Sequence, residues 1–366
     1  MGLSVVVTGA NGFIGTHIVE KILKLMPGEL TGEREKTTVR FSNFETTSKI
    51  RDELAVTQVW GVDLLESLTR STHARFASAS RYGFVAHDKL SEHLARLKTP
   101  PTLVVHNGAC SSTTEMDPEV FATLNLEYSK MLWNYCAQNN VPFLYASSAA
   151  VYGDGSQGFS DAKEASAKMQ PLNLYGKSKH DFDLWVLEQT QTPPTWFGLR
   201  YFNVYGPFEA HKKGQASMVY HGYNQATRTG KINLFKSNTA QYSDGNQERD
   251  FVYVHNIVHL TLELAQLAAA RARGKSAPTL AGNGAFLNVG TGSPRTWNEL
   301  AQGVFQALSL PPQVEYIPMP DNLVRQYQNH TCADLSTWNR LGLQTELTPL
   351  EIGVREYVQR YLLRGL

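Results

Sequence analysis

The amino-acid sequence predicts an α/β protein built on a doubly wound parallel sheet, and two observations carry that expectation. Short β-branched runs alternate with helical stretches along the chain, the pattern left by successive βαβ units. The first run passes directly into a glycine-spaced turn that opens an amphipathic helix, the arrangement by which such sheets hold phosphate. With 366 residues, at about 150 residues per domain, the chain has the length for one large domain or two.

Val5-Val6-Val7 supplies the first strand and residues 12–25 the first helix. The stretch 26–100 has few clean periodicities, as an insertion would; within it the end of the second strand reads as Arg40-Phe41-Ser42-Asn43, with Lys49 downstream. Then come a strand at Thr102-Leu103-Val104-Val105, a helix near 119–139 and a strand from Phe143-Leu144-Tyr145 onward. Two further strands read at 197–201 and 286–290, and the Ala-rich stretch 264–272 reads as a helix end followed by a surface loop. Ligands of such sheets sit beyond the carboxyl ends of the strands.

Composition narrows the function classes. Apolar residues make up 42% and charged residues 18%, an ordinary globular mixture. Lys+Arg 34 against Asp+Glu 33, a net charge of +1, gives no basic field for nucleic acid. Cys110, Cys136 and Cys332 are too scattered for a disulfide framework or a metal site, so no metal is expected and a reducing cytoplasm is. No apolar run approaches the ~20 residues of a membrane span, and no basic n-region precedes the first apolar segment.

Thr8-Gly9-Ala10-Asn11-Gly12-Phe13-Ile14-Gly15 has the context that gives a glycine pattern meaning. Gly9 permits the tight turn, Gly12 lets a pyrophosphate approach the backbone at the positive end of the helix, and Gly15 lets helix and strand pack closely. The G-x-x-G-x-x-G spacing resembles the extended short-chain dehydrogenase/reductase family, which implies a Rossmann-type sheet. With Ser42 where an acid would meet the NAD ribose, and Arg40 or Lys49 to pair with a 2′-phosphate, NADP is favoured over NAD.

Tyr175 and Lys179 stand at i and i+4, on one helical face about 6 Å apart. A lone YxxxK carries no weight, but the strand upstream delivers Ser147-Ser148 at its carboxyl end. Ser148, Tyr175 and Lys179 then form a triad. The ammonium is expected to lower the tyrosine pKa, the serine to bond the reacting oxygen, and the tyrosine to exchange the proton while hydride moves to nicotinamide.

Longer strings are similar to the ADP-L-glycero-D-manno-heptose 6-epimerase family: 106–115, the Ser147-Ser148 strand, 171–179, 200–207, His211-Lys212, 249–254, 288–292 and 316–318. The resemblance implies NADP held around Gly9, Gly12, Phe13, Ile14, Gly15, Asn43, Lys49, Asn107, Gly108, Ala109, Cys110, Ser111, Asn125, Tyr175, Lys179 and Val204. It implies substrate contacts at Ser148, Asn203, Lys212, His221, Phe235, Lys236, Ser237, Asn238, Arg249 and Tyr327. It also implies a Rossmann domain of 1–204 plus 246–291, a smaller mixed α/β substrate domain of 205–245 plus 292–366, and a homo-oligomer, of which a pentamer is one form. For three of these residues a plainer role stands beside the implied one: His221 as a core histidine, Arg249 in a salt bridge with Asp250, and Cys110 as a lining residue rather than a nucleophile. Near Lys212 the family's small residues are replaced by Lys213-Gly214-Gln215, which leaves open which lysine faces the sugar.

The reaction implied is epimerisation at C6 of the heptose in ADP-D-glycero-D-manno-heptose, a step of lipopolysaccharide core synthesis, through a 6-keto intermediate. Tyr175 serves one face and Lys212 the other. The alternatives are a nucleotide-sugar 4-epimerase or dehydratase and a non-catalytic NADP-binding sensor. A dehydratase wants an acid after the first catalytic hydroxyl, where Ala149-Ala150 follows Ser148, and a sensor has no need of a proton-transfer group.

Overall fold

The computed structural model describes residues 3–24, 56–274, 278, 280, 282–324 and 326–366. Its centre is a seven-stranded parallel sheet. The strands are β1 (Leu3–Thr8), β2 (Val56–Asp63), β3 (Tyr82–Ala86), β4 (Leu103–His106), β5 (Phe143–Ser148), β6 (Trp196–Tyr201) and β11 (Gly284–Val289). In the order β11-β6-β5-β4-β1-β2-β3, the chain winds one way from β1 and the other way from β4. A crevice therefore opens beyond the carboxyl ends of these two strands, where such folds bind ligands. The expected Rossmann-type class is thus observed.

Helix α1 (Phe13–Lys24) and α6 (Val254–Ala272) cover one face, burying Ile18, Val19, Ile22, Ile257, Val258 and Leu260 against Val5, Val7 and Val105. Helices α2 (Leu90–Arg96), α3 (Tyr128–Gln138) and α4 (Leu174–Glu188) cover the other with Leu90, Leu94, Trp133 and Phe182. A separate core joins α5 (Met218–Thr229), α7 (Trp297–Leu308) and α8 (Leu350–Glu356) to β8 (Ile232–Phe235) through Val219, Ile232, Val304, Phe305 and Val354. Short strand pairs complete this side: β7 (Asn203–Tyr205) with β10 (Phe251–Tyr253), β9 (Glu248–Arg249) with β12 (Arg295–Thr296), and β8 with β13 (Val314–Ile317).

One expectation is corrected here. The place beside β1 is filled by Val56–Asp63, paired from Val5↔Val59 to Thr8↔Val62, so the second strand does not end at Arg40-Phe41-Ser42-Asn43. Val56, Val59 and Val62 are buried in that position, and the strand ends in an acid, Asp63. Asn43 and Lys49, named for the dinucleotide, lie outside the described residues with Arg40 and Ser42. Among the described residues no helix is long and apolar enough to cross a membrane, and Cys110, Cys136 and Cys332 are free.

Candidate active site

The glycine turn is as tight as its spacing predicts. Gly9 has φ +68°, and a Cβ there would stand 2.9 Å from the Asn107 carbonyl carbon; one on Gly15 would stand 2.0 Å from the Gly9 carbonyl oxygen. Only glycine tolerates such approaches. Asn11, buried in the turn, has its main-chain N–H donating to Asp63 Oδ2 at 2.9 Å and its side-chain amide donating to Ser67 Oγ at 2.8 Å. Its carbonyl accepts from Thr72 Oγ1 at 3.0 Å and Arg70 at 3.4 Å. The segment after β2 therefore clamps the turn, and it brings Asp63 and Arg70 to the place where Asn43 and Lys49 were expected to act.

Across the switch point the loop after β4 is tied to β1. Thr8 Oγ1 accepts from the Gly108 N–H at 2.9 Å and bonds His106 Nδ1 at 2.7 Å. Burial holds the His106 imidazole neutral, its pKa lowered to about 3. Asn107 Oδ1 accepts from the Tyr201 hydroxyl at 3.1 Å, while its Nδ2 is buried with no partner among the described residues. Asn125, in the π turn Ala122–Glu127, accepts from the Cys110 N–H at 2.8 Å and donates to the Cys110 carbonyl and to Ser178 Oγ, each at 2.9 Å. Both its amide hydrogens are thus taken, and Asn125 acts by holding the loop Asn107-Gly108-Ala109-Cys110-Ser111 against α4. A π turn at such a position is a frequent companion of functional sites.

Ser148 ends β5, and α4 starts on the cap of Asn173, whose side chain accepts from the Gly176 N–H at 2.8 Å. This places Tyr175 in the first turn, hydrogen-bonded to Ser148. Lys179, one turn on and buried, donates to the Ala146 carbonyl at 2.9 Å. Asp183 follows at i+8 with both carboxylate oxygens engaged: Tyr145 at 2.9 Å, Ser147 at 3.0 Å and Arg200 Nε at 3.1 Å. Arg200 and Asp183 are both 0% exposed, and Arg200 also reaches Tyr152 at 3.2 Å and Ser166 at 2.8 Å. This network locks α4 to β5 and β6.

The expected electrostatics of the tyrosine are corrected. Burial raises the Tyr175 pKa, with the Ser148 hydrogen bond opposing and the Cys110 sulfur adding to the rise. The Lys179 ammonium is drawn back onto the Ala146 carbonyl. Burial lowers the lysine to about 8, against the pull of Asp183 and Cys110.

Lys212 lies on the short turn Ala210–Gln215, its ammonium 5.2 Å from the centroid of the Phe13 ring. Burial lowers its pKa and Glu209 raises it. Gln215 of the same turn reaches Ser112 Oγ at 3.0 Å. The Lys212 turn and the first turn of α4 thus both meet the loop after β4, the one through Gln215 at Ser112 and the other through Tyr175 beside Cys110. Lys213 is exposed, with φ +52° and ψ −123°, which separates the two lysines that the sequence left together.

The structure brings Arg249, Phe235 and Tyr327 together. Arg249, 5% exposed, lies over the rings of Tyr327 at 4.8 Å and Trp297 at 5.5 Å, and Phe235 meets Tyr327 edge-on at 6.5 Å. Asp250 does not pair with Arg249; it accepts from Thr291, Gly292 and Ala333. A buried guanidinium with no carboxylate partner among the described residues suits an anionic ligand. Ser237 donates from its N–H to Asp244 Oδ1 at 2.8 Å and Asn238 to the Val324 carbonyl at 3.4 Å, while the Lys236 side chain is exposed. Asn203 pairs its N–H with the Asp250 carbonyl at 3.0 Å, and Ile14 and Val204 pack between the two adjoining cores. His221 on α5 has a buried Nε2 with no partner among the described residues, unlike a satisfied core histidine.

Sequence reasoning missed Asp63, Arg70, Glu209, Asp183 and Arg200. Asp183 alone left a signal, its i+8 place after Tyr175.

Residues 5–276 match the NAD dependent epimerase/dehydratase family. The chain belongs to that family. Among curated relatives, the ADP-L-glycero-D-manno-heptose-6-epimerase of Nitratidesulfovibrio vulgaris strain Hildenborough is 36% identical over 98% of this chain and 97% of its own. The Fusobacterium nucleatum protein of the same name is 36% identical over 85% and 92%. The solved Helicobacter pylori ADP-L-glycero-D-manno-heptose-6-epimerase superposes with a TM-score of 0.69 at 23% identity, covering 98% of this chain and 96% of that one. UDP-N-acetylglucosamine 4-epimerase of Methanobrevibacter ruminantium M1 does so at 0.71 and 21%, covering 100% and 99%. The family's cofactor is a nicotinamide dinucleotide, and the residues present fit one: the Gly9–Gly15 cradle is sterically closed to any side chain at Gly9 or Gly15, and Asn107 Nδ2 beside it is a donor with no partner among the described residues.

Proposed function

We propose that this chain interconverts the C6 epimers of the heptose in an ADP-heptose, taking ADP-D-glycero-D-manno-heptose to ADP-L-glycero-D-manno-heptose. The observation that supports the reading is that Tyr175, with its Ser148 hydrogen bond, and Lys212, over the Phe13 ring at the glycine turn, are both partly or wholly withdrawn from solvent on elements that meet the loop after β4. The names of the relatives at 36% identity support the substrate.

A bound dinucleotide supplies the acceptor and donor of hydride at the sugar carbon. Tyr175 acts through its phenolate, the form that burial disfavours and the Ser148 hydrogen bond favours, and takes the proton of the C6 hydroxyl to become the neutral phenol, while Ser148 bonds the same oxygen. Lys179 holds α4 on β5 and presents its ammonium on the Tyr175 face. Once the ketone has turned its other face to the hydride, its oxygen lies away from Tyr175, and Lys212 gives that oxygen its proton. Arg249, flanked by Tyr327 and with Phe235 beyond it, offers a fork to the diphosphate. NADP is the proposed dinucleotide. The absence of an acid no longer supports it, since Asp63 ends β2, but Asp63 is occupied by the N–H groups of Asn11 and Leu64 at 2.9 and 2.8 Å, and Arg70 stands at the same turn as a partner for a 2′-phosphate. The domain division at 204–205, 245–246 and 291–292 and a cytoplasmic homo-oligomer belong to the same proposal.

The test is a panel of nucleotide sugars incubated with purified protein and followed by NMR. Inversion at C6 of the ADP-heptose alone is expected; inversion at C4 of a hexose, or loss of water, overturns the reading. Analysis of the dinucleotide released on denaturation is expected to give NADP, with Arg70→Ala shifting preference toward NAD. Release of NAD alone overturns the cofactor choice.

A further inference from the structure

Glu209 has no part in the chemistry above, yet it is 0% exposed in the turn that carries Lys212. Its carboxylate spans the whole turn. At one end it accepts from the Gly206 N–H at 3.5 Å; at the other it accepts from the Ser217 N–H at 2.6 Å and the Ser217 hydroxyl at 2.5 Å. Its carbonyl accepts from the Lys212 N–H at 2.9 Å. Tyr357, from the segment after α8, donates a further bond to the carboxylate. A helix cap or a surface acid needs none of this enclosure, and burying a carboxylate is costly unless its charge meets a partner.

Resting on the reading of Lys212 as the second proton donor, we propose that Glu209 is the positioning residue for that lysine: it closes the 206–217 turn so that the ammonium stands over Phe13 in the field of the buried carboxylate. His211 lies beside Lys212 on the turn, and Arg70, from the segment after β2, acts on His211; the Phe13 ring faces Lys212 from α1, and Tyr357 lies beyond Glu209. Asp63, at the end of β2, also acts on His211, while Glu209 acts on Lys212 itself. A second contact fixes the turn from outside, the ring of His17 on α1 donating from Nε2 to the Pro207 carbonyl at 2.9 Å. Burial holds that ring neutral, with a pKa lowered to about 4.

Glu209→Gln keeps the shape and one accepting oxygen for the Ser217 N–H, turns the other into a donor and removes the charge. Competitive acylation of amines across a pH series, read by mass spectrometry on the full chain, gives the titration of Lys212 without any turnover. In Glu209→Gln the Lys212 profile should move down by about 1 pH unit, the effect of losing a nearby opposite charge, with Lys213 unmoved as the internal control. Net epimerisation should fall at least tenfold, while single-turnover formation of reduced dinucleotide at 340 nm from the Tyr175 face is retained. Glu209→Asp should restore the Lys212 profile. An unmoved profile in Glu209→Gln, or equal profiles in the Asp and Gln variants, overturns the proposal. If Glu209→Gln does not fold, Ser217→Ala, which leaves the charge and removes one bond to it, should lower epimerisation several-fold with hydride transfer intact; unchanged epimerisation there overturns it. Lys212→Met tells the two claims apart, since normal epimerisation in that variant defeats the role of Lys212 whatever Glu209 does to its titration.

Discussion

The two lysines of the crevice are held in opposite ways. Lys179 rides on α4, a fifteen-residue helix capped by Asn173 and bound to the sheet through the Asp183–Arg200 pair. Lys212 rides on a six-residue turn whose two ends are joined by the Glu209 carboxylate and which His17 and Ser112 touch from outside. The helix fixes Tyr175, Lys179 and Asp183 by its repeat alone, so their relative placement survives any change that leaves the helix folded. The turn has no repeat, and its lysine is placed only as well as its staple is. The proposed two-sided reaction would join a rigid half to an adaptable one.

The largest effect should come from the rigid half. Tyr175→Phe should lower epimerisation by about 10²–10⁴-fold with the dinucleotide still bound, as measured by turnover and by analysis of the released cofactor; near-normal turnover would show that another group is the base. Asp183→Ala strands a buried guanidinium and should cost about 3–5 kcal/mol of stability, read by chemical denaturation. If stability were unchanged, α4 would not be locked as described.

In the adaptable half, Lys212→Met should lower net epimerisation by about 10²-fold while leaving the fold stable, and Lys213→Met should leave the rate close to wild type. Equal losses would erase the distinction between the two. A pH series separates the halves further. The Lys179 pKa is lowered to about 8 from an unfolded value of about 10.4, so above pH 8 the folded state gives up a proton that the unfolded state keeps. Stability contributed by this group therefore rises between about pH 8 and 10.4, while the charged lysine, and dinucleotide affinity with it, declines over the same range. A dinucleotide affinity that is flat across that range would place Lys179 away from the cofactor.

What the sequence made legible follows the same division. The strand-turn-helix at Thr8–Gly15 and the Ser148, Tyr175, Lys179 set could be read because each is a spacing rule acting within one or two elements. The end of the second strand was misread because a strand was sought soon after α1, where connections are ordinarily short, whereas the strand that pairs with β1 begins at Val56. Asp63 and Arg70 were lost with it. Glu209 and Arg200 left no local mark, since each is defined by partners far along the chain or by a turn without periodicity. Lys212 came through likeness to known proteins, and only the fold separated it from Lys213.

Lys213 sits at φ +52° and ψ −123°, a conformation that suits glycine at the first central position of a type II′ turn. A lysine held there costs about 1–3 kcal/mol, against about 0.5–1 kcal/mol for the extra freedom a glycine loses on folding. Lys213→Gly is therefore a route to a more heat-tolerant protein, gaining about 1 kcal/mol by those figures, which for a chain of this length is about 1 °C of melting temperature. Because the Lys213 side chain is exposed, this engineering handle lies beside the proposed chemistry without touching it.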